Sequence, residues 1–243
     1  EPDEVKARWP FAGPGCGALW APDDAALDPA ALVAALRADG KRLGVRTVQD
    51  TAISVERQGD RVTGVRGESG SYRANQVVLA AGAWSGAVGG VPRPVSVAPV
   101  RGQMAALPWP ESVPPVVLYS RRCYMVYRRG EAVLGSTMEY VGFEPEVTET
   151  GITRILAAAT TLCPALSNLA LSRTWAGLRP VTPDGNPIIG AEPRLNGLWY
   201  ATGHGRNGIL LSGITGVIIR QLLDGEPGFD EVSALAPERF WTW

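Results

Sequence analysis

Histidine and cysteine are scarce in this sequence, and their scarcity limits the chemistry that the chain can perform. Among 243 residues there is one histidine, His204. The three cysteines, Cys16, Cys123 and Cys163, are isolated, odd in number and without the spacing of metal ligands. Zinc sites and Ser/His or Cys/His catalytic machines draw on these side chains. We therefore expect neither a metal site nor triad catalysis.

The sequence also lacks a charge excess and a long apolar run. A formal net charge of −1 gives no argument for nucleic acid or an anionic membrane as partner. No apolar run approaches the roughly 18 residues that a membrane-spanning helix needs. The opening stretch EPDEVKARWP is too acidic for a signal peptide. The sequence thus predicts a globular protein of one or two domains in the cytoplasm, with no nucleic-acid partner and no membrane span.

Helix and strand signals are present in the first part of the chain. Asp28 as N-cap, Pro29 after it and Gly40 as a stop predict a helix over Asp28–Asp39. Short β-like runs follow, with a hairpin turn at Gly59-Asp60. These runs are VRTVQ, TAISVERQGDRVTGVRGES and GSYRA.

The middle of the chain contains one apolar run and one proline-rich stretch. In QVVLAAGAWSG (Gln76 to Gly86) the apolar residues do not alternate with polar ones, which indicates a strand buried on both faces, as in a parallel sheet. Residues 92–115 are rich in proline and favour a crossover between domains. The runs VVLYS, CYMVYRR and AVLGSTMEY then predict an antiparallel meander with a turn at Arg128 to Glu131.

The last third begins and ends with a helix signal. Apolar residues at helical spacing in ETGITRILAAATTLCP predict a helix that stops before Pro164. Extended structure follows, with a turn at Asp184-Gly185 and the strand LWYAT (Leu198 to Thr202). A helix from about Gly208 to Leu223, ended by Asp224-Gly225, is the last predicted element.

The stretch GHGRNG, Gly203 to Gly208, matches the dinucleotide pattern G-x-G-x-x-G. A working fingerprint opens a βαβ unit, and an acidic ribose ligand follows about twenty residues later at the end of a second strand. Here one helix and then EPGFDEVSALAPERFWTW follow, and this segment offers no buried strand. The match therefore does not indicate a dinucleotide-binding site. Its glycines still indicate backbone with positive φ or a close approach of the backbone to another group. A helix N-terminus after them suits an electron-rich group. The alternative is a glycine-rich turn that packs a helix onto a sheet.

Three blocks in this order resemble the flavin-dependent D-amino acid oxidase superfamily. They are VVLAAGAWSG, TWAGLRPVTPDGNPIIG and LWYATGHGRNGILLSGITGVIIRQLL. Within that superfamily the chain is similar to the glycine oxidases of thiamine synthesis, from about Gly13 to Gly225. The resemblance implies a mixed α/β (α+β) fold with an incomplete FAD-binding Rossmann-like domain and a substrate domain with a mixed or antiparallel sheet. It assigns residues 27–91 and 177–243 to the FAD-binding domain, and residues 1–26 and 92–176 to the substrate domain.

Members of this family carry their true G-x-G-x-x-G at the extreme N-terminus. The first residues of this chain resemble family sequence well past that point, so roughly the first third of a family member is not represented. The resemblance therefore implies a partner: the N-terminal segment of the FAD domain as a separate chain or a cleaved piece. A truncated form is the alternative explanation, and a homo-oligomer is left open. The resemblance leaves unsettled whether this chain binds FAD by itself.

The resemblance also assigns residues to the substrate. Arg179 matches the family arginine that grips the substrate carboxylate, a role that suits a planar, always-charged guanidinium. Tyr124 matches a tyrosine whose hydroxyl reaches the same carboxylate, and Arg206 a position that lines the active site near the flavin. A solvated loop arginine, a core or surface tyrosine and an arginine that caps the sheet edge are the alternatives.

The remaining matches concern the FAD cofactor. Ala52 or Ile53 corresponds to the adenine side, and the turn after the apolar strand and the GHGRNG stretch to the flavin side. His204 is expected to supply backbone and a hydrogen bond rather than acid–base catalysis. Gly205 stands where family members carry an aromatic residue, which leaves the pocket width open. The full set of cofactor-binding matches is Ala52, Ile53, Ala80, Ala81, Gly82, Trp84, Gly177, His204, Gly205, Arg206, Asn207, Gly208 and Ile209.

The resemblance implies oxidation of a small amino acid, glycine or a similar one, by hydride transfer to FAD. The expected products are the imino or oxo acid, ammonia and hydrogen peroxide. One alternative is an oxidoreductase that acts on sarcosine, proline or a D-amino acid. A non-catalytic remnant or subunit that needs a partner to bind FAD is the other.

Overall fold

The computed structural model describes residues 1–15, 17–226 and 229–241. Cys16 and the end of the C-terminal tail lie outside the described residues. The elements in chain order are α1 (Pro2–Arg8), α2 (Pro29–Arg42), β1 (Ala52–Gln58), β2 (Arg61–Gly67), β3 (Ser71–Arg73), β4 (Val77–Leu79), β5 (Ala98–Pro108), β6 (Val117–Tyr119), β7 (Tyr124–Arg128), β8 (Glu131–Gly135), α3 (Glu149–Leu162), β9 (Arg173–Val181), β10 (Ile188–Ala191), β11 (Leu198–Thr202) and α4 (Ser212–Asp224). This mixture of helices, antiparallel strand pairs and the parallel pair β4–β11 confirms the predicted mixed α/β class.

The chain divides into two compact units, each built from two segments. Unit 1 contains Glu1–Gly44 and Arg101–Gly177, and unit 2 contains Val45–Val100 and Leu178–Trp243. The sequence-based division placed residues 27–44 with the second unit and residues 92–100 with the first. The boundaries after Val100 and Gly177 fall inside strands β5 and β9, and the boundary after Gly44 lies in the turn that follows α2.

The core of unit 1 is a sheet of order β6-β7-β8-β5-β9 packed against α3. The strand pairs β6–β7 and β7–β8 are antiparallel with a turn at Arg128 to Glu131, which confirms the predicted meander. Ile152, Ile155 and Ala159 of α3 pack on Met125 and Leu134 of the sheet. Helix α3 ends before Pro164, as its sequence predicts.

The proline-rich stretch contains the longest strand, which its sequence did not predict, and the boundary between the two units at Val100 and Arg101 falls inside it. Strand β5 covers eleven residues, and most of them are buried. Its prolines, Pro99 and Pro108, stand near the two ends, where a lost ladder hydrogen bond costs least. The proline-free run between them pairs with β8 through Met104 to Leu107.

A buried polar network attaches α3 to this sheet. Gln103 is fully buried, and its Nε2 donates to the Glu139 carboxylate at 3.0 Å and to Thr148 Oγ1 at 3.0 Å. Its Oε1 accepts from the Thr148 N–H at 2.7 Å. The Thr148 hydroxyl in turn accepts from Gly151 N–H as the N-cap of α3. One buried amide therefore satisfies both a strand-side carboxylate and a helix start.

Unit 2 contains two three-stranded sheets, β1-β2-β3 and β10-β11-β4. The turn Gly59-Asp60 joins β1 to β2, as predicted, with Gly59 at φ 63°. Ile188 and Ile189 of β10 belong to different clusters: Ile188 packs with the β1–β2 hairpin, and Ile189 packs against α4. Strand β10 is thus covered on both of its faces.

Three predicted elements differ from the structure in extent. Strand β4 pairs parallel with β11, but it lies at the sheet edge with Val78 38% exposed, so the prediction of burial on both faces is wrong. Helix α2 continues past Gly40 to Arg42, and Gly44 at φ 82° provides the left-handed residue after it. The run VRTVQ forms no strand, because no neighbouring strand pairs with it.

Candidate functional site

The carboxyl ends of the parallel strands β4 and β11 bring two predicted loops together within unit 2. A 3₁₀ segment, Gly82–Ala87, follows β4, and the GHGRNG stretch follows β11. The Thr202 hydroxyl donates to the Gly82 carbonyl at 3.2 Å, so the Ser85 hydroxyl, 2.7 Å away, donates to Thr202. Ligands of open α/β sheets bind at such carboxyl ends.

The first two glycines of GHGRNG return the chain from β11 towards β9. His204 forms an antiparallel bridge with Val181, and Gly205 N–H donates to the Pro180 carbonyl at 2.7 Å. Gly203 and Gly205 adopt φ 78° and 54°, a region that favours glycine. The half-buried Arg179 lies two residues before this bridge, so the predicted carboxylate ligand and the flavin-side loop are adjacent.

His204 has a partner on the helix that follows its loop. Its Nε2 lies 3.0 Å from Thr215 Oγ1 on α4. Burial lowers the pKa of His204 below its usual 6.5, because the charged ring is desolvated. A neutral imidazole held by a helix hydroxyl attaches the loop to α4.

Glycine leaves open space on the outer side of this site. A Cβ added at Gly82 or Gly205 would meet no atom within 4 Å. Trp84 and Ile209 are 53% and 41% exposed beside them, and Arg206 is exposed. Open glycine backbone bordered by apolar side chains suits the close approach of a flat ring system. The residues of unit 2 therefore fit the ring end of a flavin.

The helix after the loop begins later than the sequence predicts. Helix α4 starts at Ser212, and a turn over residues 208–211 precedes it. Both the N–H and the hydroxyl of Ser212 donate to the Ile209 carbonyl, at 3.3 and 2.8 Å, which closes a tighter turn than an α-helix. The prediction of a helix N-terminus at Gly208 is therefore wrong, while its predicted end at Gly225, with φ 69°, is confirmed.

The other predicted positions lie at different places. Ala52 and Ile53 begin β1 and are exposed, and the Ile53 carbonyl accepts from Gly89 N–H at 2.9 Å. Gly177 is exposed on β9 in unit 1. Ala80 and Ala81 join β4 to Gly82, and Asn207 and Gly208 continue the loop after β11.

Tyr124, the second predicted carboxylate ligand, belongs to unit 1. It is half-buried at the start of β7. Its hydroxyl donates to Met104 Sδ at 3.3 Å, and its ring stacks on Tyr119 with centroids 6.4 Å apart and planes 2° apart.

The sequence reading missed the ion pair that holds the loop after Arg179 and Val181. Arg239 Nε donates to Asp184 at 2.8 Å, and this bond holds the pKa of Asp184 well below its usual value. Asp184 also accepts from the Asn186 N–H at 3.0 Å. The turn signal at Asp184-Gly185 located the acceptor, but no local pattern pairs it with an arginine 55 residues later.

The two cysteines that the structure describes are buried free thiols. Burial raises the pKa of the Cys123 thiol to about 11 and also raises that of Cys163. Both are therefore held as protonated core thiols. No helix in the described ranges is both long and apolar enough to cross a membrane.

Comparison with known proteins finds relatives that match most of this chain. The chain is 38% identical over 233 residues to the bifunctional protein ThiO/ThiG of Synechocystis sp., which covers 93% of this chain and 35% of that protein. It is 34% identical over 245 residues to a glycine oxidase of Bacillus licheniformis, covering 98% of this chain and 66% of that protein. The chain thus spans about a third of the fused relative and just under two thirds of the glycine oxidase.

Solved structures agree with the sequence relatives. The glycine oxidase of Bacillus cereus superposes with a TM-score of 0.84 at 29% identity, over 96% of this chain and 66% of that one. The family model for FAD-dependent oxidoreductases, DAO, matches residues 1–222. The chain belongs to the DAO family of FAD-dependent oxidoreductases, as its resemblance predicted.

Proposed function

We propose that this chain forms part of an FAD-dependent enzyme that oxidises a small amino acid, glycine or a similar one. The amino acid would pass two electrons to FAD and become the imino acid, which water converts to the oxo acid and ammonia, and molecular oxygen would take the electrons from the reduced flavin to give hydrogen peroxide. Its relatives include glycine oxidases and fused ThiO/ThiG proteins, so a place in thiamine synthesis belongs to the same proposal.

One observation carries this proposal most directly. Arg179 lies two residues before Val181, which forms the bridge with His204 of the glycine loop, and that loop shares the carboxyl ends of β4 and β11 with Gly82. An always-charged cation next to open glycine backbone can bind an anionic substrate beside a flat ring.

Each residue then has a defined task. Arg179 would hold the substrate carboxylate through paired N–H donors, and Tyr124 would donate a further hydrogen bond to it. Arg206 would add positive charge where it borders the ring. Such fixed donors orient the substrate Cα, and orientation contributes much of the rate in a reaction that needs no strong base. FAD, when bound, supplies the two-electron acceptor.

The flavin-side residues would act mainly through their backbone. The glycines at 82, 203, 205 and 208 keep side chains away from the ring. His204 stays neutral and is held by Thr215, so it positions the loop and takes no proton from the substrate. Ala52 and Ile53 are proposed for the adenine side, and Gly177 for backbone next to the substrate.

The test measures glycine-dependent bleaching of the flavin near 450 nm without oxygen, in the purified protein saturated with FAD. We expect Arg179→Lys to lower kcat/KM by at least about a hundredfold, because a bidentate clamp is lost. Arg173→Lys on the same strand is the matched control. Arg173 pairs with Glu131 at an exposed position, 2.7 Å apart, and its substitution should leave kcat/KM within about twofold. Full activity in Arg179→Ala contradicts the assigned role.

Gly205 favours a second candidate substrate. Nothing lies within 4 Å of a Cβ at this position, so the space that an aromatic residue would fill can accept a substrate side chain or an N-methyl group. Sarcosine, proline and D-alanine should therefore be compared with glycine by kcat/KM. A preference for any of them moves the proposal to that substrate; absence of flavin binding under all conditions favours a non-catalytic subunit.

A further inference from the structure

Four residues form one row across unit 1. The strand register places Tyr119 of β6 opposite Tyr124 of β7, Tyr124 opposite Gly135 of β8, and Gly135 opposite Met104 of β5. Cross-strand partners project from the same face of a sheet. Glycine in the third place leaves a gap between the tyrosine and the methionine.

The phenol of Tyr124 fills that gap. A Cβ at Gly135 would lie 2.7 Å from the Tyr124 hydroxyl and 2.5 Å from Met104 Sδ, both closer than real contacts allow. With glycine at this position the ring lies along the sheet and its hydroxyl reaches the sulfur at 3.3 Å, whereas a Cβ would force the phenol or the methionine side chain to shift. Tyr119, stacked parallel to the ring on the other side, limits its movement in the opposite direction.

A thioether is an unusual partner for a hydroxyl in this position. Sulfur is a weak hydrogen-bond acceptor, whereas a hydrogen bond to a carboxylate is shorter and roughly twice as strong as a neutral one. The sulfur can therefore orient the hydroxyl and still give up the bond when a carboxylate arrives. An amide oxygen at the same place would compete with that carboxylate.

We propose that Gly135 and Met104 are positioning residues for Tyr124: Gly135 provides the gap over which the phenol lies, and the Met104 sulfur is a weak acceptor that a substrate carboxylate replaces. This inference rests on the proposed function, because it takes Tyr124 as a carboxylate ligand. A purely structural alternative exists, since an aromatic ring over a glycine also stabilises a sheet.

The experiment compares Met104→Gln with Met104→Leu in the protein saturated with FAD. The probe is glycolate, a carboxylate without an amine, and its dissociation constant is measured by calorimetry and by the flavin absorbance change. Met104→Gln introduces a strong acceptor and should weaken glycolate binding on the order of tenfold, the effect of about one hydrogen bond. Met104→Leu has a similar size but no acceptor, so the hydroxyl loses its orientation without gaining a competitor, and glycolate binding should weaken by about two- to threefold, less than in Met104→Gln.

A double-mutant cycle separates positioning from packing. In the Tyr124→Phe background the hydroxyl is gone, so Met104→Gln should no longer affect glycolate binding. A structural role predicts instead the same effect in both backgrounds, together with a lower free energy of unfolding. Gly135→Ala should bind glycolate as weakly as Tyr124→Phe does. If Gly135→Ala does not fold, the comparison of Met104→Gln with Met104→Leu still tests the proposal.

The outcomes distinguish this inference from the proposed function. If the unsubstituted protein oxidises glycine, and Tyr124→Phe weakens glycolate binding, the proposed function stands. Equal effects of Met104→Gln in both backgrounds, or none in either, then overturn the positioning role alone. If the unsubstituted protein neither oxidises glycine nor binds glycolate, both are overturned, whereas glycine oxidation without glycolate binding overturns the positioning role alone.

Discussion

The ion pair of Arg239 allows a quantitative prediction for unit 2. The Arg239 side chain is 17% exposed, and its guanidinium joins the last 3₁₀ segments to the loop between β9 and β10. Its acceptors are the Asp184 carboxylate and the carbonyls of Leu235, Ala236, Asn186 and Pro187.

Replacement by lysine removes most of these bonds. An ammonium is a point donor that can keep the carboxylate and one carbonyl, so about three acceptors lose their partner. At roughly 1 kcal/mol for each bond, Arg239→Lys should lower the free energy of unfolding by about 2–4 kcal/mol. Urea denaturation followed by circular dichroism measures this difference.

Arg220 provides the matched control. It also bonds to carboxylates, those of Asp224 and Glu226, but its side chain is 55% exposed. Water competes for these bonds, so Arg220→Lys should lower the free energy of unfolding much less than Arg239→Lys does. If the two substitutions destabilise the protein equally, burial does not determine the value of the Arg239 network, and our reasoning is refuted.

The same ion pair predicts a dependence on pH. The folded-state pKa of Asp184 lies below its usual 3.8, mainly because Arg239 donates to the carboxylate. A depressed pKa stabilises the fold fully above the unfolded pKa, and that contribution is lost as the pH falls towards the folded one. The stability difference between the unsubstituted protein and Asp184→Asn should therefore shrink below pH 3.8.

Three further predictions concern other buried contacts. Gln103→Leu should cost about 2–4 kcal/mol in urea denaturation, because it leaves a buried N–H and a carboxylate with fewer partners; a cost below about 1 kcal/mol contradicts the network. Burial lowers the pKa of His204, so its imidazole signal, the only one in the chain, should titrate below 6.5 by NMR. The free energy of unfolding should decrease as the pH falls through this range, and this decrease should be absent in His204→Gln. Gly203 and Gly205 both have positive φ, which costs an alanine about 1–2 kcal/mol. Gly203→Ala should lower the free energy of unfolding by more than Gly205→Ala, because only the Cβ at position 203 would also collide with a neighbouring atom.

The sequence predicted those elements whose signals are local. Asp28 accepts from the N–H groups of Ala30 and Ala31 as an N-cap, and Gly59 forms the predicted turn between β1 and β2. Helix α3 carries its apolar residues at helical spacing, so its buried face could be read directly. In each case the residues that determine the structure lie within a few positions of one another.

The failures have the opposite cause. Proline density predicted a crossover between domains over residues 92–115 but gave no sign of strand β5, because Pro99 and Pro108 stand near its ends and the run between them can still form ladder hydrogen bonds. Whether β4 is central or at an edge depends on which strands pair with it, and no property of Val77–Leu79 itself determines that. The row from Tyr119 to Met104 likewise requires the register of four strands. Such features follow from tertiary pairing and cannot be derived from local pattern.

The GHGRNG stretch illustrates both limits at once. Its glycines at 203 and 205 have positive φ because the chain must turn from β11 to the bridge with Val181, whereas Gly208 does not lie in that region. Two of the three glycines in the pattern are therefore required by the local fold, with no reference to a phosphate. In the described part of the chain only 3₁₀ segments follow α4. The pattern is produced by a turn at the carboxyl end of the central strand β11, and we propose that the open space beside Gly205 faces the cofactor.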